Sequence, residues 1–204
     1  MIALVDYGAG NLTSVRKALN AVGASPVTPG RPDDLEAAIG IIVPGVGHFG
    51  ATRSLDAAWC DAMRAAIARG AAVLGICVGL QWMFEGSIES PETPGLGLFP
   101  GQCRHLSTHE GATALPALKV PHVGWNSLDV RRPSALLDGI ESGDQVYFTH
   151  SYAAPVIADT VASTTYGWPF SAVVARDRVA AMQFHPEKSG DVGLRLLRNW
   201  YRAV

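Results

Sequence analysis

The chain has 204 residues, 48% of them apolar, and a formal net charge of −2. That length suits one well-packed domain over residues 1–204 and is too short for two comfortable ones. The near-balanced charge excludes the electrostatic footprint of a nucleic-acid or anionic-membrane binder. The longest apolar run, Ala71 to Phe84, holds a glycine-rich turn and falls short of the ~20 residues a membrane span needs. Met1-Ile2-Ala3-Leu4-Val5-Asp6 lacks the basic start of a signal peptide. A soluble, cytoplasmic protein is therefore expected. The three cysteines, Cys60, Cys77 and Cys103, are odd in number and form no Cys-x-x-Cys pair. Neither a disulfide framework nor a zinc site fits, and no metal or cofactor is expected.

In chain order, Ile2-Ala3-Leu4-Val5 reads as a buried strand ending at the turn Asp6 to Asn11. Leu12, Val15, Leu19 and Val22 then recur at helical spacing, with Gly23 as a stop. A strand, a glycine turn and a helix is how a parallel α/β sheet begins, with its ligand loops at the carboxyl edge. Gly8-Ala9-Gly10 is no dinucleotide loop, because Thr13 stands where the third glycine belongs. Pro26-Val27-Thr28 is a short second strand. Ile39 to Val43 is a buried strand running into Pro44-Gly45-Val46-Gly47-His48-Phe49-Gly50. Glycines in that position can turn backbone N–H groups toward an anion, or can serve only the turn. Composition and period make Ala51 to Arg69 one helix, with Leu55, Trp59, Met63 and Ile67 on a face.

Ala71-Ala72-Val73-Leu74-Gly75-Ile76-Cys77-Val78-Gly79 is an apolar run ending in Gly-x-Cys-x-Gly, and a helix-like segment follows at once. This is the layout of a nucleophile elbow, where a strand turns sharply into a helix and presents one side chain. Small neighbours are required because the backbone there is strained and closely approached. A helix N-terminus beside the sulfur favours thiolate over thiol. A lone cysteine is more often a buried structural residue; the flanking glycines reverse that preference, provided a base, an orienting acid and an oxyanion site exist elsewhere.

Ser87 to Gly95 is a loop of turn formers, and Gln102 to Leu106 a possible strand. Pro121-His122-Val123-Gly124-Trp125-Asn126 reads as a loop or strand edge. Val130 to Gly143 carries turns and one short helical piece. Val146-Tyr147-Phe148 is a strand entering Thr149-His150-Ser151-Tyr152. Thr160 to Thr165, Ser171 to Ala175 and Val179 to Phe184 form a β-rich, antiparallel region. A final helix presents Leu194, Leu197 and Tyr201 on one face, with Asp191 near its start.

Met182-Gln183-Phe184-His185-Pro186-Glu187-Lys188 places a histidine at the end of an apolar strand. Pro186 biases the His185 backbone toward extended geometry. On an extended segment His185 and Glu187 point the same way, so the carboxylate can fix the imidazole tautomer and stabilise imidazolium. With the elbow cysteine present, Cys77, His185 and Glu187 read as nucleophile, base and orienting acid.

The elbow Gly75 to Gln81 together with Phe184-His185-Pro186-Glu187 resembles the class I, triad-type glutamine amidotransferases. Asp6-Tyr7-Gly8-Ala9-Gly10-Asn11-Leu12, Pro44 to Phe49, Pro121 to Asn126 and His185 to Ser189 narrow the likeness to the glutaminase subunits of imidazole glycerol phosphate synthases. The likeness covers nearly the whole chain. Val78 and Leu80 stand where that group more often has Leu and Met, which alters packing and no reactive group. The resemblance implies a flavodoxin-like, three-layer α/β fold. Its central sheet would be mostly parallel, with helices on both faces and an additional antiparallel β region in the C-terminal half.

The resemblance also implies hydrolysis of L-glutamine through a Cys77 thioester. Backbone N–H groups of Val46, Gly47 and Val78 would hold the oxyanion. Gly45, Gln81, Glu89, His150 and Ser151 would bind substrate, Glu89 accepting from its α-ammonium and the His150-Ser151 region meeting its α-carboxylate. On composition alone Glu92 and Glu110 compete with Glu89. Ammonia released into water would protonate and diffuse away, and the chain has no room for an acceptor domain. The implied consumer is a separate (β/α)8-barrel cyclase subunit in a heterodimer, and Asn11, Trp125, Asn126, Tyr147 and Lys188 are candidates for its contact surface. Three rivals share parts of the pattern. A glutaminase serving another synthase, such as that of pyridoxal phosphate synthase, has the same triad but typically a Pro-Gly-Gly oxyanion loop. A cysteine α/β-hydrolase would lack His-Pro-Glu. A non-catalytic regulatory subunit would not need all three triad residues.

Overall fold

The computed structural model describes residues 1–108 and 118–204; Glu110, one of the acidic candidates, lies outside them. Among the described residues, thirteen strands and four α-helices occur in this order: β1 (Ile2–Leu4), α1 (Leu12–Ala21), β2 (Pro26–Val27), β3 (Gly40–Gly45), α2 (Ala57–Ala68), β4 (Ala72–Cys77), α3 (Val78–Met83), β5 (Gly86–Ser87), β6 (Gln102–His105), β7 (His122–Ser127), β8 (Asp129–Val130), β9 (Gln145–His150), β10 (Tyr152–Ala153), β11 (Thr160–Tyr166), β12 (Trp168–Arg176), β13 (Val179–Met182) and α4 (Gly190–Arg202). An eight-stranded sheet runs β2-β1-β3-β4-β13-β12-β11-β8. Its first five strands are mutually parallel, and β12, β11 and β8 add on antiparallel. A three-stranded sheet (β10-β6-β5) and a two-stranded ribbon (β7-β9) stand beside it.

Strand alternation divides the core into two layers. Ile2, Leu4, Ile42, Leu74 and Ile76 face one cluster with Val15 and Leu19 of α1 and Leu196, Leu197 and Trp200 of α4. Ala3, Ile41, Val43 and Val73 face the other, with Met63 and Ala66 of α2 and Leu80 and Met83 of α3. Helices thus cover both faces of the parallel half, giving the expected three layers. Among the described residues, no helix is long and apolar enough to cross a membrane.

Several expectations need correction. The single helix over Ala51 to Arg69 is two pieces: a 3-10 turn over Phe49–Ser54, then α2. The Asp56 side chain accepts from the Trp59 N–H at 3.2 Å, and this cap starts a new helix just after Leu55 enters the core. The stretch Val179 to Phe184 is antiparallel only toward β12; toward β4 it is parallel, with Met182 opposite Ile76. The buried face of α4 is Gly193, Leu196, Leu197 and Trp200, while Leu194 and Tyr201 are half-buried at its margin. Of the two readings of Pro121 to Asn126, loop or strand edge, the strand holds: from His122 onward it is β7, paired residue for residue with β9.

Gly79 shows why the elbow tolerates no side chain behind the cysteine. A Cβ there would lie 1.8 Å from the carbonyl oxygen of Val43. Gly79→Ala is therefore expected to destabilise the fold by about 3 kcal/mol or more, since backbone rather than a flexible side chain would have to move. Thermal melting measures this, and a melting temperature equal to the parent's would contradict the packing described.

Candidate active site

The parallel topology brings three chain-distant segments to one sheet edge. Gly45 at the end of β3 is the register partner of Cys77 at the end of β4, and β13, beside β4, delivers Gln183, Phe184 and His185 just past Met182. Cys77 has φ +54 and ψ −108, the strained backbone of an elbow. Its side chain looks into a cleft of about 220 Å³ lined by Gly47, Val78, Gln81, Glu89, Pro121, Thr149, His150, Ser151 and Tyr152. Of the candidates, Cys77, Gly47, Val78, Gln81, Glu89, His150 and Ser151 thus share one cleft. Glu92 does not; it pairs with Arg53 at the surface, 2.8 Å away.

His185 Nδ1 lies 2.8 Å from Glu187 Oε1, with both side chains almost wholly buried. The contact is as expected but its backbone is not: Pro186–Lys188 is a 3-10 turn, so Glu187 curls back beneath the ring rather than lying along a strand. His185 Nε2 is buried without a hydrogen-bond partner among the described residues, facing the Cys77 thiol closely enough to be affected by it. Burial alone would lower the imidazole pKa; the nearby Cys77 sulfur, with the hydrogen bond and charge of Glu187, outweighs it and raises the pKa to about 10. The ring is thus biased toward imidazolium, the form that a thiolate partner requires.

The expected oxyanion donors divide. The Val46 N–H already donates to the Ala9 carbonyl at 3.1 Å, so in this conformation it is unavailable. Val78 and Gly47 remain at the cleft wall, Gly47 with φ +87. Gly45 is held closely, as a Cβ there would meet Tyr7 Oη at 2.2 Å and Val78 Cβ at 2.7 Å. That Tyr7 hydroxyl is buried and has no hydrogen-bond partner among the described residues, its pKa raised by burial and by Cys77.

Gln81 is 2% exposed, and its Nε2 donates to the Tyr152 carbonyl at 2.9 Å and to Gln183 Oε1 at 3.3 Å. Glu89 Oε2 accepts the Phe49 N–H at 2.7 Å, which ties the cleft wall to the segment after the oxyanion loop. The His150 imidazole is committed inward. Its Nδ1 bonds the Tyr152 carbonyl at 2.9 Å, leaving Nε2 to accept from His122 Nδ1 at 3.1 Å. Burial drives both rings toward the neutral form, His122 down to about 4 and His150 to about 3. His150 therefore contributes wall and backbone to the cleft rather than a free side-chain donor. Thr149 and Tyr152 adjoin the residues expected from sequence and went unassigned.

The surface candidates cluster only in part. Trp125 is 55% exposed and packs edge-on to Tyr147 (centroids 6.1 Å apart), and Lys188 Nζ lies 5.8 Å from the same ring. Asn11 is exposed but its side chain caps α1 through the Ser14 N–H. Asn126 turns inward, donating to the Thr165 carbonyl at 3.1 Å and approaching His122 Nε2 at 3.4 Å.

A cysteine on a strand-to-helix elbow, facing a buried His–Glu pair at the carboxyl edge of this sheet, defines a class I glutamine amidotransferase. The model of that family, glutamine amidotransferase class-I, matches residues 3–204. The chain belongs, within it, to the family of imidazole glycerol phosphate synthase subunit HisH. It is 45% identical to that subunit from Desulfovibrio desulfuricans over 98% of this chain and 94% of the relative. It is 41% identical to that of Methanothermobacter thermautotrophicus over 100% and 99%, and 45% identical to that of Thermococcus kodakarensis over 99% and 100%. Among solved structures, PurLQS from Thermotoga maritima superposes with a TM-score of 0.76 at 20% identity, covering 98% of this chain and 97% of that one. A structure described as a glutamine amidotransferase gives 0.75 at 20% identity, covering 100% and 98%. These two likenesses concern the fold.

Proposed function

We propose that the whole chain, residues 1–204, acts as a single glutaminase domain, the ammonia-producing subunit of an imidazole glycerol phosphate synthase in histidine biosynthesis. The observation that carries this reading is the buried 2.8 Å His185–Glu187 pair facing the thiol at the elbow. Cys77 attacks the side-chain amide carbon of L-glutamine and gives its proton to His185 Nε2. The resulting imidazolium protonates the departing ammonia, and the neutral ring then activates water to hydrolyse the thioester to L-glutamate. Glu187 holds the ring so that Nε2, not Nδ1, faces the sulfur. Val78 and Gly47 N–H groups receive the oxyanion, and the cleft wall from Gly45 through Gln81, Glu89 and Ser151 receives the substrate. No cofactor is required by this chemistry.

The ammonia goes to a cyclase subunit of (β/α)8 form in a heterodimer, in the cytoplasm. Its docking face centres on Trp125, Tyr147 and Lys188, with Asn11 and Asn126 at the margins. Docking there reshapes the Gly45 to Gly47 loop and frees the Val46 N–H from Ala9, completing the oxyanion site. The test is glutamate release measured alone and with a cyclase subunit carrying its nucleotide ligand. Turnover is expected to rise by about two to three orders of magnitude, the scale of a single oxyanion donor, and Trp125→Ala to weaken association by about 2 kcal/mol. Equal turnover with and without the loaded cyclase would remove the activation idea; Trp125→Ala association matching the parent would move the docking face elsewhere.

A further inference from the structure

Gln183 is the lone polar residue in the apolar run Val179 to Phe184 and is wholly buried. Burying a primary amide there costs stability that methionine or leucine would avoid, and both of its hydrogen bonds run into the site. Its Nε2 lies 3.7 Å from Cys77 Sγ, and its Oε1 accepts from Gln81 Nε2 at 3.3 Å. An amide can be turned end for end, so its orientation must come from its neighbours. Here the neighbours decide it. The Tyr152 carbonyl can only accept, so Gln81 presents its NH2 end to it. That same NH2 reaches Gln183, which must answer with oxygen. The NH2 end of Gln183 is then left to point at the sulfur. The Tyr152 carbonyl is itself fixed by a second donor, His150 Nδ1.

We propose that Gln183 is a hydrogen-bond donor to the Cys77 sulfur, aimed by Gln81, that positions and stabilises the thiolate. The inference rests on Cys77 being the nucleophile. A thiol is a weak acceptor and a thiolate a much stronger one, so this N–H···S contact tightens as the proton moves from Sγ to His185 Nε2. It slackens when the S–C bond of the thioester forms, and tightens again when water displaces the sulfur. The same Gln81 that lines the glutamine cleft sets this donor, so substrate contact and nucleophile orientation belong to one polar chain.

Two variants separate this role from packing. Gln183→Met keeps length and removes the donor; Gln183→Glu keeps shape and replaces the N–H end with oxygen. His185, Tyr7, Cys103, Glu89, His150 and Tyr152, the other titratable groups described around the sulfur and its cleft, are untouched in both. The pH at half-maximal alkylation of Cys77 by iodoacetamide is expected to rise in each. The kcat for glutamate release falls about ten- to a hundredfold, the scale of one hydrogen bond to a charged group, while KM changes less than threefold. Folded variants whose alkylation profile and kcat match the parent overturn the proposal. In the unsubstituted protein, the Gln183 side-chain amide nitrogen resonance is expected to titrate with the midpoint of Cys77 alkylation; a resonance blind to that titration also overturns it, whatever the variants do. Capping of Cys77 that leaves glutamate release intact would instead remove the nucleophile assignment beneath it.

Discussion

Cys77→Ala is expected to cut glutamate release by roughly 10⁴-fold or more, with the fold retained. No other side chain in the cleft can form an acyl intermediate from the position of Cys77, so water would have to attack the amide directly. The backbone makes a second, independent expectation. At φ +54 and ψ −108, Cys77 sits where a Cβ is strained, at about 1–3 kcal/mol. Glycine relieves that strain and loses about 0.5–1 kcal/mol to the greater freedom of its unfolded chain. Cys77→Gly is thus expected to melt about 2–4 °C above Cys77→Ala, though both are inactive. The elbow holds its cysteine at the expense of stability. Two measurements check this: glutamate release, where residual turnover near the parent's ends the catalytic assignment, and the order of the two melting temperatures, where alanine above glycine ends the strain argument.

Much of the fold was legible because burial patterns are local. The apolar runs at Ile2, Ile39 and Ala71 read as buried strands, and each became one, in the parallel half of the sheet. What failed was what depends on neighbours. Ala51 to Arg69 is helical by period throughout, and only the commitment of Leu55 to the core and the Asp56 cap divides it. Val179 to Phe184 is β-rich by composition, but composition carries no information on the direction of the strand beside it. The ribbon β7-β9 was half legible, because Gly124 and the Pro121 entry fit a loop as well as a strand edge until β9 pairs with them.

The site divides in the same way. Cys77, His185 and Glu187 announce themselves through motifs whose residue types have few other uses. The oxyanion loop could be placed but not its conformation, since the partner of the Val46 N–H is a carbonyl 37 positions earlier in the chain. The His150-Ser151 region does line the cleft, but sequence carries no sign that the His150 ring nitrogens are taken by His122 and the Tyr152 carbonyl. Gln183 stood in plain view. A polar residue within a buried strand must have partners, and that rule was the available signal.

Glu187→Gln is the sharper probe of how the triad is held, because it changes charge without changing shape. The Glu187 carboxylate accepts the His185 Nδ1–H and keeps the ring's other nitrogen toward Cys77. An amide can present its NH2 instead, which turns Nδ1 into the acceptor and leaves the proton on Nε2, where it cannot receive the thiol's. Glutamate release is expected to fall about 10²–10⁴-fold, the range seen when a triad base is given the wrong tautomer. Stability carries its own pH dependence. The folded-state pKa of His185, raised to about 10, lies above the value near 6.5 of an unfolded histidine. Its stabilising contribution is therefore complete below about pH 6.5 and is lost as pH rises toward 10. Glu187 supplies part of that contribution, so the gap in melting temperature between parent and Glu187→Gln is expected to be widest near pH 6 and to narrow through pH 8 to 10. A gap that is constant, or that widens with pH, would mean that the buried carboxylate stabilises the fold by some route other than its pairing with imidazolium. In that case the turn Pro186–Lys188, rather than the charge it carries, would be what the His-Pro-Glu sequence preserves.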